Sequence, residues 1–108
     1  MSIRNEKIRA ALQDIAGEFF AREAGRQTLI TVTNAHIADD AKSGIIYFTA
    51  FPDSAEAQAL SFANRNRREF ADFFRTRVRG AFPPHIEFMI DRGEKNRQRL
   101  DELSSDQS

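Results

Sequence analysis

Six arginines lie close together in the segment "ANRNRREFADFFRTRVRG", residues 63–80 of a 108-residue chain whose formal net charge is zero. Across residues 64–82 only Glu69 and Asp72 oppose them, so four positive charges have no local partner in the sequence. Guanidinium groups that contact phosphates release counterions, and the resulting affinity for nucleic acid falls with salt. We therefore predict that this segment binds phosphate. The candidate residues are Arg65, Arg67, Arg68, Arg75 and Arg79, with Arg77 as a sixth.

A solvated amphipathic helix is the alternative interpretation of these arginines. Asp72 lies four residues after Arg68 and three before Arg75. In a helix it can pair with either, and each such pair contributes roughly 0.2–0.5 kcal/mol. From the residue pattern alone, phosphate binding and local pairing both stay open.

The phenylalanines of the same segment point away from its arginines. At roughly 100° per residue, Phe70, Phe73 and Phe74 fall on one side of a helix. The opposite side carries Arg68, Arg75 and Arg79. We expect the rings to hold the helix to a core and not to stack on bases. The same spacing places Arg77 beside the rings, which makes it the least regular of the six candidates.

A second basic cluster follows the last predicted strand. It consists of Arg92, Lys95, Arg97 and Arg99. Acidic residues balance these charges within the same segment, so a solvated surface is the favoured interpretation. The cluster remains a possible RNA-binding site that becomes ordered on a partner.

Residues for other chemistry are sparse. The chain has no cysteine, which excludes disulfides, thiolate catalysis and thiolate zinc sites. His36 and His85 lie too far apart in sequence to suggest a metal site, and the adjacent acids Asp39 and Asp40 are typical of a turn. No glycine-rich phosphate loop is present. We expect no enzyme activity, no metal, no cofactor and no small-molecule substrate.

Length and composition indicate one soluble domain. No apolar run approaches the roughly 20 residues of a membrane span, and the polar start "MSIRNEKIRA" lacks the apolar core of a secretion signal. Sixteen basic and sixteen acidic residues cancel, so nucleic-acid binding must come from local patches. We expect a cytoplasmic monomer that does not bind membranes.

Periodicity predicts a helix followed by two strands. Apolar residues recur at helical spacing over residues 3–23. In "TLITVTNAHIA" the alternation changes phase, which predicts a β-bulge near Thr33 and Asn34. The turn "DDAKSG" then leads into "IIYFTAF", where Ile46, Phe48 and Ala50 share one face, so the two strands should form an antiparallel hairpin.

Two further helices and a third strand complete the pattern. Asp53 or Ser54 is predicted to cap the second helix. Its apolar pattern falters at residues 64–66, which predicts a break. In "HIEFMID" apolar and polar residues alternate, as in a half-buried strand. The order α-β-β-α-α-β predicts an α+β two-layer sandwich, with helices on one face of a three-stranded mixed sheet. The domain should span residues 1–91, and residues 92–108 should form a polar segment, partly helical and then disordered.

This order, with the residues that fill it, resembles the ribosome-binding factor A family of bacterial assembly factors for the small ribosomal subunit. The resemblance runs from about Arg4 to Leu103. Its strongest part is "LITVTNAHIADDAKSGIIYFTAF", which looks like the family's two strands joined by an acidic turn. Further support comes from "RNEKIRAALQDIA", from "PPHIEFMID" and from the charged segment that ends in "RLDEL".

The resemblance implies a KH-like fold of type II and a non-catalytic role. It implies binding to the rRNA of the small subunit during late maturation, and a link to cold adaptation. The family breaks its helical pair at an Ala-x-Gly interruption, which implies a helix kink at Ala63, Asn64 and Arg65, with Asn64 in a left-handed conformation. The GXXG loop by which other KH domains clamp nucleotides has no counterpart among the five glycines, so RNA must bind elsewhere.

We therefore predict a ribosome assembly factor that binds the rRNA of the immature small subunit. The alternative is a small protein-binding module that uses an open sheet face or sheet edge. Near-zero net charge favours this alternative over a general RNA-binding protein.

Overall fold

The computed structural model describes residues 3–23, 29–78 and 85–93. Its elements follow the predicted order. They are α1 (Ile3–Glu23), β1 (Leu29–Ile37), β2 (Ser43–Phe51), a 3-10 turn (Asp53–Ala55), α2 (Glu56–Arg65), α3 (Arg67–Arg77) and β3 (His85–Ile90). The predicted polar segment falls outside the described residues from position 94 onward.

The sheet is mixed, as predicted. β2 is its middle strand, antiparallel to β1 and parallel to β3. Alternate residues of β2, including Ile46, Phe48 and Ala50, are buried beneath the helices, whereas Phe51 at its end is exposed. The molecule is therefore a two-layer α+β sandwich in which the described helices cover one face of the sheet. It has the KH-like architecture that the resemblance implies.

The predicted bulge in β1 is confirmed. The pairing of β1 with β2 shifts between Val32 and Asn34, which leaves Thr33 as the extra residue. Because one inserted residue exchanges the two faces of a strand, Ala35 and Ile37 become buried beyond the bulge. The bulge thus keeps both halves of a nine-residue strand on the core.

Phenylalanine rings join the helices to the sheet. The ring of Phe20 on α1 lies 5.9 Å from that of Phe48 and 5.4 Å from that of Phe88, measured between centroids. Phe70 on α3 lies 5.6 Å from Phe88 in an edge-to-face arrangement. Such geometry is favoured by the quadrupoles of the rings. The aromatic residues therefore fill the core, as their lack of polar groups indicates.

The break between α2 and α3 lies at Asn66, within residues 64–66 where the apolar pattern predicted it and one residue beyond the kink that the resemblance implies. The backbone N–H of Asn66 donates to the carbonyls of Phe62 and Ala63, at 3.1 and 3.2 Å, and its side-chain amide donates to the Phe62 carbonyl at 2.8 Å. Ala63, Asn64 and Arg65 are helical, and Asn64 is not left-handed. Asn66, not Asn64, ends the helix because its amide can turn back onto the last turn of α2.

The predicted side-chain cap of α2 is wrong. The residue before α2 is Ala55, which makes no side-chain capping bond. Backbone groups close the preceding turn instead, with the Ala55 N–H donating to the Pro52 carbonyl at 2.9 Å and the Glu56 N–H donating to the Asp53 carbonyl. The 3-10 turn therefore moves the start of the helix beyond Asp53 and Ser54.

Candidate nucleic-acid interface

A groove of about 550 Å³ runs between α3 and β3, and we call it the arginine groove. Its walls come from both elements. The lining residues are Arg67, Arg68, Ala71 and Arg75 on α3 and His85, Ile86 and Glu87 on β3. Three guanidinium groups thus face one carboxylate across a shallow cleft, an arrangement suited to a polyanion.

The inner side of α3 fixes the direction of its arginines. Phe70 and Phe74 are buried and Phe73 is half-buried, so the predicted inward orientation of the rings is confirmed. Arg68 and Arg75 are seven positions apart, about two helical turns, and therefore project from the same side of α3. Both are exposed.

Arg67 connects the helix to the strand. Its guanidinium donates a hydrogen bond to the carbonyl of Ile86 at 3.4 Å. Among the described residues, no carboxylate forms an ion pair with Arg67 or Arg68. Their positive charge is therefore not neutralised by the surrounding surface that the structure describes.

Arg75 forms the local pair that the sequence suggests, but the contact is loose. Its guanidinium lies 3.5 Å from the Asp72 carboxylate, and both side chains are more than half exposed. Exposed pairs of this kind contribute about 0–1 kcal/mol and are screened by salt. A phosphate can therefore compete with Asp72 for this arginine.

The strand wall of the groove is a backbone edge that pairs with no further strand among the described residues. The N–H groups of His85 and Asp91 donate to carbonyls on the β2 side. Because successive residues of a strand alternate in direction, the groups of Ile86 and Phe88 point to the other side, toward α3. The bond from Arg67 to the Ile86 carbonyl agrees with this direction. β3 is an edge strand of the described sheet, and its open edge faces the arginines.

Arg77 lies apart from the groove and is engaged by its own chain. Its guanidinium is 2.6 Å from the Glu18 carboxylate on α1 and 4.8 Å from the centre of the Phe73 ring. Arg22 approaches the same ring, at 5.2 Å. Helical spacing placed Arg77 beside the phenylalanines, and the structure agrees with that position. It does not place Arg77 with the groove arginines, with which it was grouped as a phosphate-binding candidate.

The remaining candidates are dispersed. Arg65 is exposed at the end of α2 and does not line the groove. Arg92 lies 3.7 Å from the Glu56 carboxylate, so it borders the start of α2. The other candidates, which lie outside the described residues, are Arg79, Lys95, Arg97 and Arg99. The structure thus unites Arg67, Arg68 and Arg75 and leaves the other described arginines away from them.

The contribution of β3 to the groove was not predicted. Alternation in "HIEFMID" assigns His85 and Glu87 to the outer face of a strand, which the structure confirms. That pattern does not reveal which helix stands beside the strand. From the sequence, His85 was considered only for a metal or acid–base role, and neither was predicted. Within the described part of the chain, no group of three His, Cys, Asp or Glu residues could hold a metal.

The length and apolarity of the helices bear on whether they could span a membrane. None of the helices in residues 3–23, 29–78 and 85–93 is both long enough and apolar enough to cross a membrane.

Solved structures of ribosome-binding factor A resemble this chain. The crystal structure from Thermus thermophilus has a TM-score of 0.69 at 24% identity, over 80% of this chain and 94% of that one. A Thermotoga maritima NMR structure, a putative ribosome-binding factor A, has a TM-score of 0.58 at 17% identity, over 84% of this chain and 86% of that one. At these identities the likeness concerns the fold.

A third structure is closer in sequence. It is a homology model of the Thermus thermophilus ribosome-binding factor A, fitted into a cryo-EM map of its complex with 30S. It has a TM-score of 0.64 at 27% identity, over 86% of this chain and 97% of that one. No protein-family model and no curated protein matches the sequence. The structural neighbours confirm the resemblance that the sequence shows: this chain is similar in fold to the solved structures of ribosome-binding factor A.

Proposed function

We propose that this protein is a non-catalytic assembly factor that binds the rRNA of the immature small ribosomal subunit and assists its late maturation. The observation that carries the proposal is the arginine groove, where Arg67, Arg68 and Arg75 stand around one cleft. The related Thermus thermophilus model fitted into a 30S complex supports the same partner.

The mechanism follows from charge and rigidity. α3 is held by buried rings, so the helix that carries these arginines is in place before RNA arrives. Contacts to phosphates fix the position of a protein on RNA without reading the sequence of bases. The protein would therefore recognise the shape of folded rRNA and hold one conformation until later factors displace it. In this proposal the protein is a cytoplasmic monomer that needs no cofactor and has a role in cold adaptation.

Sedimentation tests the proposal. Lysate from cold-grown cells is separated on a sucrose gradient at low and at high salt, and the protein is detected by antibody across the fractions. We expect co-migration with small-subunit particles at low salt and loss of that co-migration at high salt, because phosphate contacts release counterions. Detection only at the top of the gradient at low salt would count against the proposal.

A second candidate function uses the open sheet face. Leu29 and Phe51, which pair across β1 and β2, are 65% and 71% exposed, and Met89 on β3 is 43% exposed. Exposed apolar groups on one surface are typical of sites for protein partners. If this face carries the function, charge reversal at Arg68 and Arg75 would leave the partner bound, whereas Phe51→Ser would release it.

A further inference from the structure

We propose that the acidic segment of this same chain, residues 100–108, docks in the arginine groove and competes there with RNA. The docking concerns the protein in isolation. The competition rests on the proposed function, and its test is therefore kept separate.

Charge complementarity selects the occupant. Residues 100–108 carry Asp101, Glu102 and Asp106 and contain no lysine or arginine. The groove is lined by three arginines and by one carboxylate, that of Glu87, and Asp72 beside it pairs with Arg75. Elsewhere in the sequence, no more than two acidic residues occur before the next lysine or arginine. Residues 100–108 therefore form the longest run of acidic residues without a basic one that the chain can offer to the groove.

The length of the connection allows the contact. Gly93 is the last described residue, and Ile86 in the groove lies seven positions before it. Those seven positions span at most about 25 Å. Residues 94–100 also number seven, so an extended connection can return Asp101 and Glu102 along β3 to the groove.

The groove also offers the contacts that such a segment needs. Arg67 and Arg68 have no ion-pair partner among the described residues, and the pair of Arg75 with Asp72 is loose. The backbone of Phe88, on the side of β3 that pairs with no strand in the described part of the chain, faces the same side. Because the segment is tethered, its docking is intramolecular, and weak ion pairs suffice to populate the docked state.

A spin label tests the docking without RNA. The chain has no cysteine, so Ser105→Cys gives a single labelling site in the full-length protein. We expect broadening of the backbone amide NMR signals of Ala71, Arg75 and Glu87, with much less effect on β1 at the opposite edge of the sheet. The broadening should disappear when Asp101→Asn, Glu102→Gln and Asp106→Asn are added.

Two results would overturn the docking. One is the absence of broadening at the groove. The other is broadening that persists unchanged in the neutralised segment, since the contact would then not depend on these charges.

RNA affinity tests the competition. The probe is a fluorescein-labelled, folded fragment of small-subunit rRNA at low salt. If the segment fills the groove in two thirds of the molecules, its neutralisation should tighten binding about threefold. The matched control neutralises three exposed acids of the described surface, Asp14→Asn, Glu23→Gln and Asp39→Asn. It changes the net charge by the same amount and should tighten binding much less.

The two arms separate the two proposals. Equal affinity of the neutralised and control variants would overturn the competition. RNA that binds none of the variants would overturn the proposed function and the competition together, and the spin-label result would still decide the docking.

Discussion

The guanidinium of Arg77 lies 2.6 Å from the carboxylate of Glu18, which joins α3 to α1 across the helical layer. The same guanidinium covers the Phe73 ring. This arginine therefore serves the packing of the two helices, whereas Arg68 and Arg75 of the same helix line the arginine groove.

Arg77→Ala should lower the free energy of unfolding by about 1 kcal/mol, because the substitution removes a half-exposed ion pair and a cation–π interaction. Chemical denaturation measures the change. A double-mutant cycle with Glu18→Ala should give a coupling of roughly 0.5 kcal/mol that shrinks at high salt. RNA affinity should change less than in Arg68→Ala. A larger loss of affinity than in Arg68→Ala would return Arg77 to the binding surface.

Charge reversal at Arg68 and Arg75 should weaken RNA binding at least tenfold at about 0.1 M salt, because two groove cations become acids. The slope of log affinity against log salt should fall by about 0.7–0.9 for each phosphate that the protein no longer neutralises. Fluorescence anisotropy with labelled small-subunit rRNA measures both quantities. The matched control is Arg4→Glu with Lys7→Glu, which reverses two exposed charges on α1. Equal weakening by both pairs would mean that net charge, not the groove, governs binding.

Asn66→Ala should lower the stability of the protein, whereas Asn64→Ala should raise it. Asn66→Ala removes the hydrogen bond that the side-chain amide donates to the Phe62 carbonyl, and should lower the free energy of unfolding by about 1 kcal/mol. Asn64 lies inside α2, where alanine has the higher helix propensity, so Asn64→Ala should stabilise the protein by roughly a few tenths of a kcal/mol. Thermal unfolding measures both. A larger loss of stability for Asn64→Ala than for Asn66→Ala would contradict the assignment of the helix break to Asn66.

Gly44→Ala should destabilise the sheet by about 1–3 kcal/mol, a typical penalty for overpacking. A Cβ at this position would lie 2.9 Å from the His36 carbonyl oxygen and 3.1 Å from the Ile86 Cδ1 atom. Gly17 in α1 is the matched control, since a Cβ there meets nothing within 4 Å. Gly17→Ala should stabilise the protein by roughly 0.5–1 kcal/mol through helix propensity. Equal effects of the two substitutions would contradict this packing.

The stability of α1 should depend on pH through Glu6. Its hydrogen bond with Arg9 holds the pKa of the Glu6 carboxyl below its usual value. A carboxyl whose pKa is depressed by folding stabilises the protein above its unfolded pKa, and that stabilisation is lost as the pH falls through the folded pKa. The difference in unfolding free energy between the wild type and Glu6→Gln should therefore shrink on acidification. A difference that stays constant with pH would exclude the ion pair as its cause.

Much of the fold could be predicted from the sequence because each element has one apolar side. The phase change around Thr33 identified the bulge, since the side-chain period of a strand is two and one extra residue reverses it. The alternation in β3 fixed its inner face for the same reason. The start of α2 at Glu56 could not be predicted, because Asp53 acts through its backbone carbonyl in a turn that side-chain types do not specify.

The site was predictable only in part. Helical spacing places Arg68 and Arg75 on the outer side of α3, and the structure agrees. The pairing of Arg77 with Glu18 joins residues 59 positions apart, and the wall at His85 depends on which helix borders β3; neither is a local property of the sequence. Asn64 and Asn66 are the same residue type two positions apart. They differ in that Asn66 bonds back to the Phe62 carbonyl at the end of α2, whereas Asn64 lies inside the helix.

The change of direction at Asn66 gives the two halves of the helical pair different supports. α2 lies on β3 and β2, whereas α3 lies along α1, where Phe19 meets both Phe70 and Phe73. One wall of the cleft thus belongs to the sheet, and the other is carried largely by the first helix. The first helix therefore helps to position the helical wall, beside the direct contact of Phe70 with Phe88, and a shift of α1 would change the width of the cleft without altering a residue that lines it.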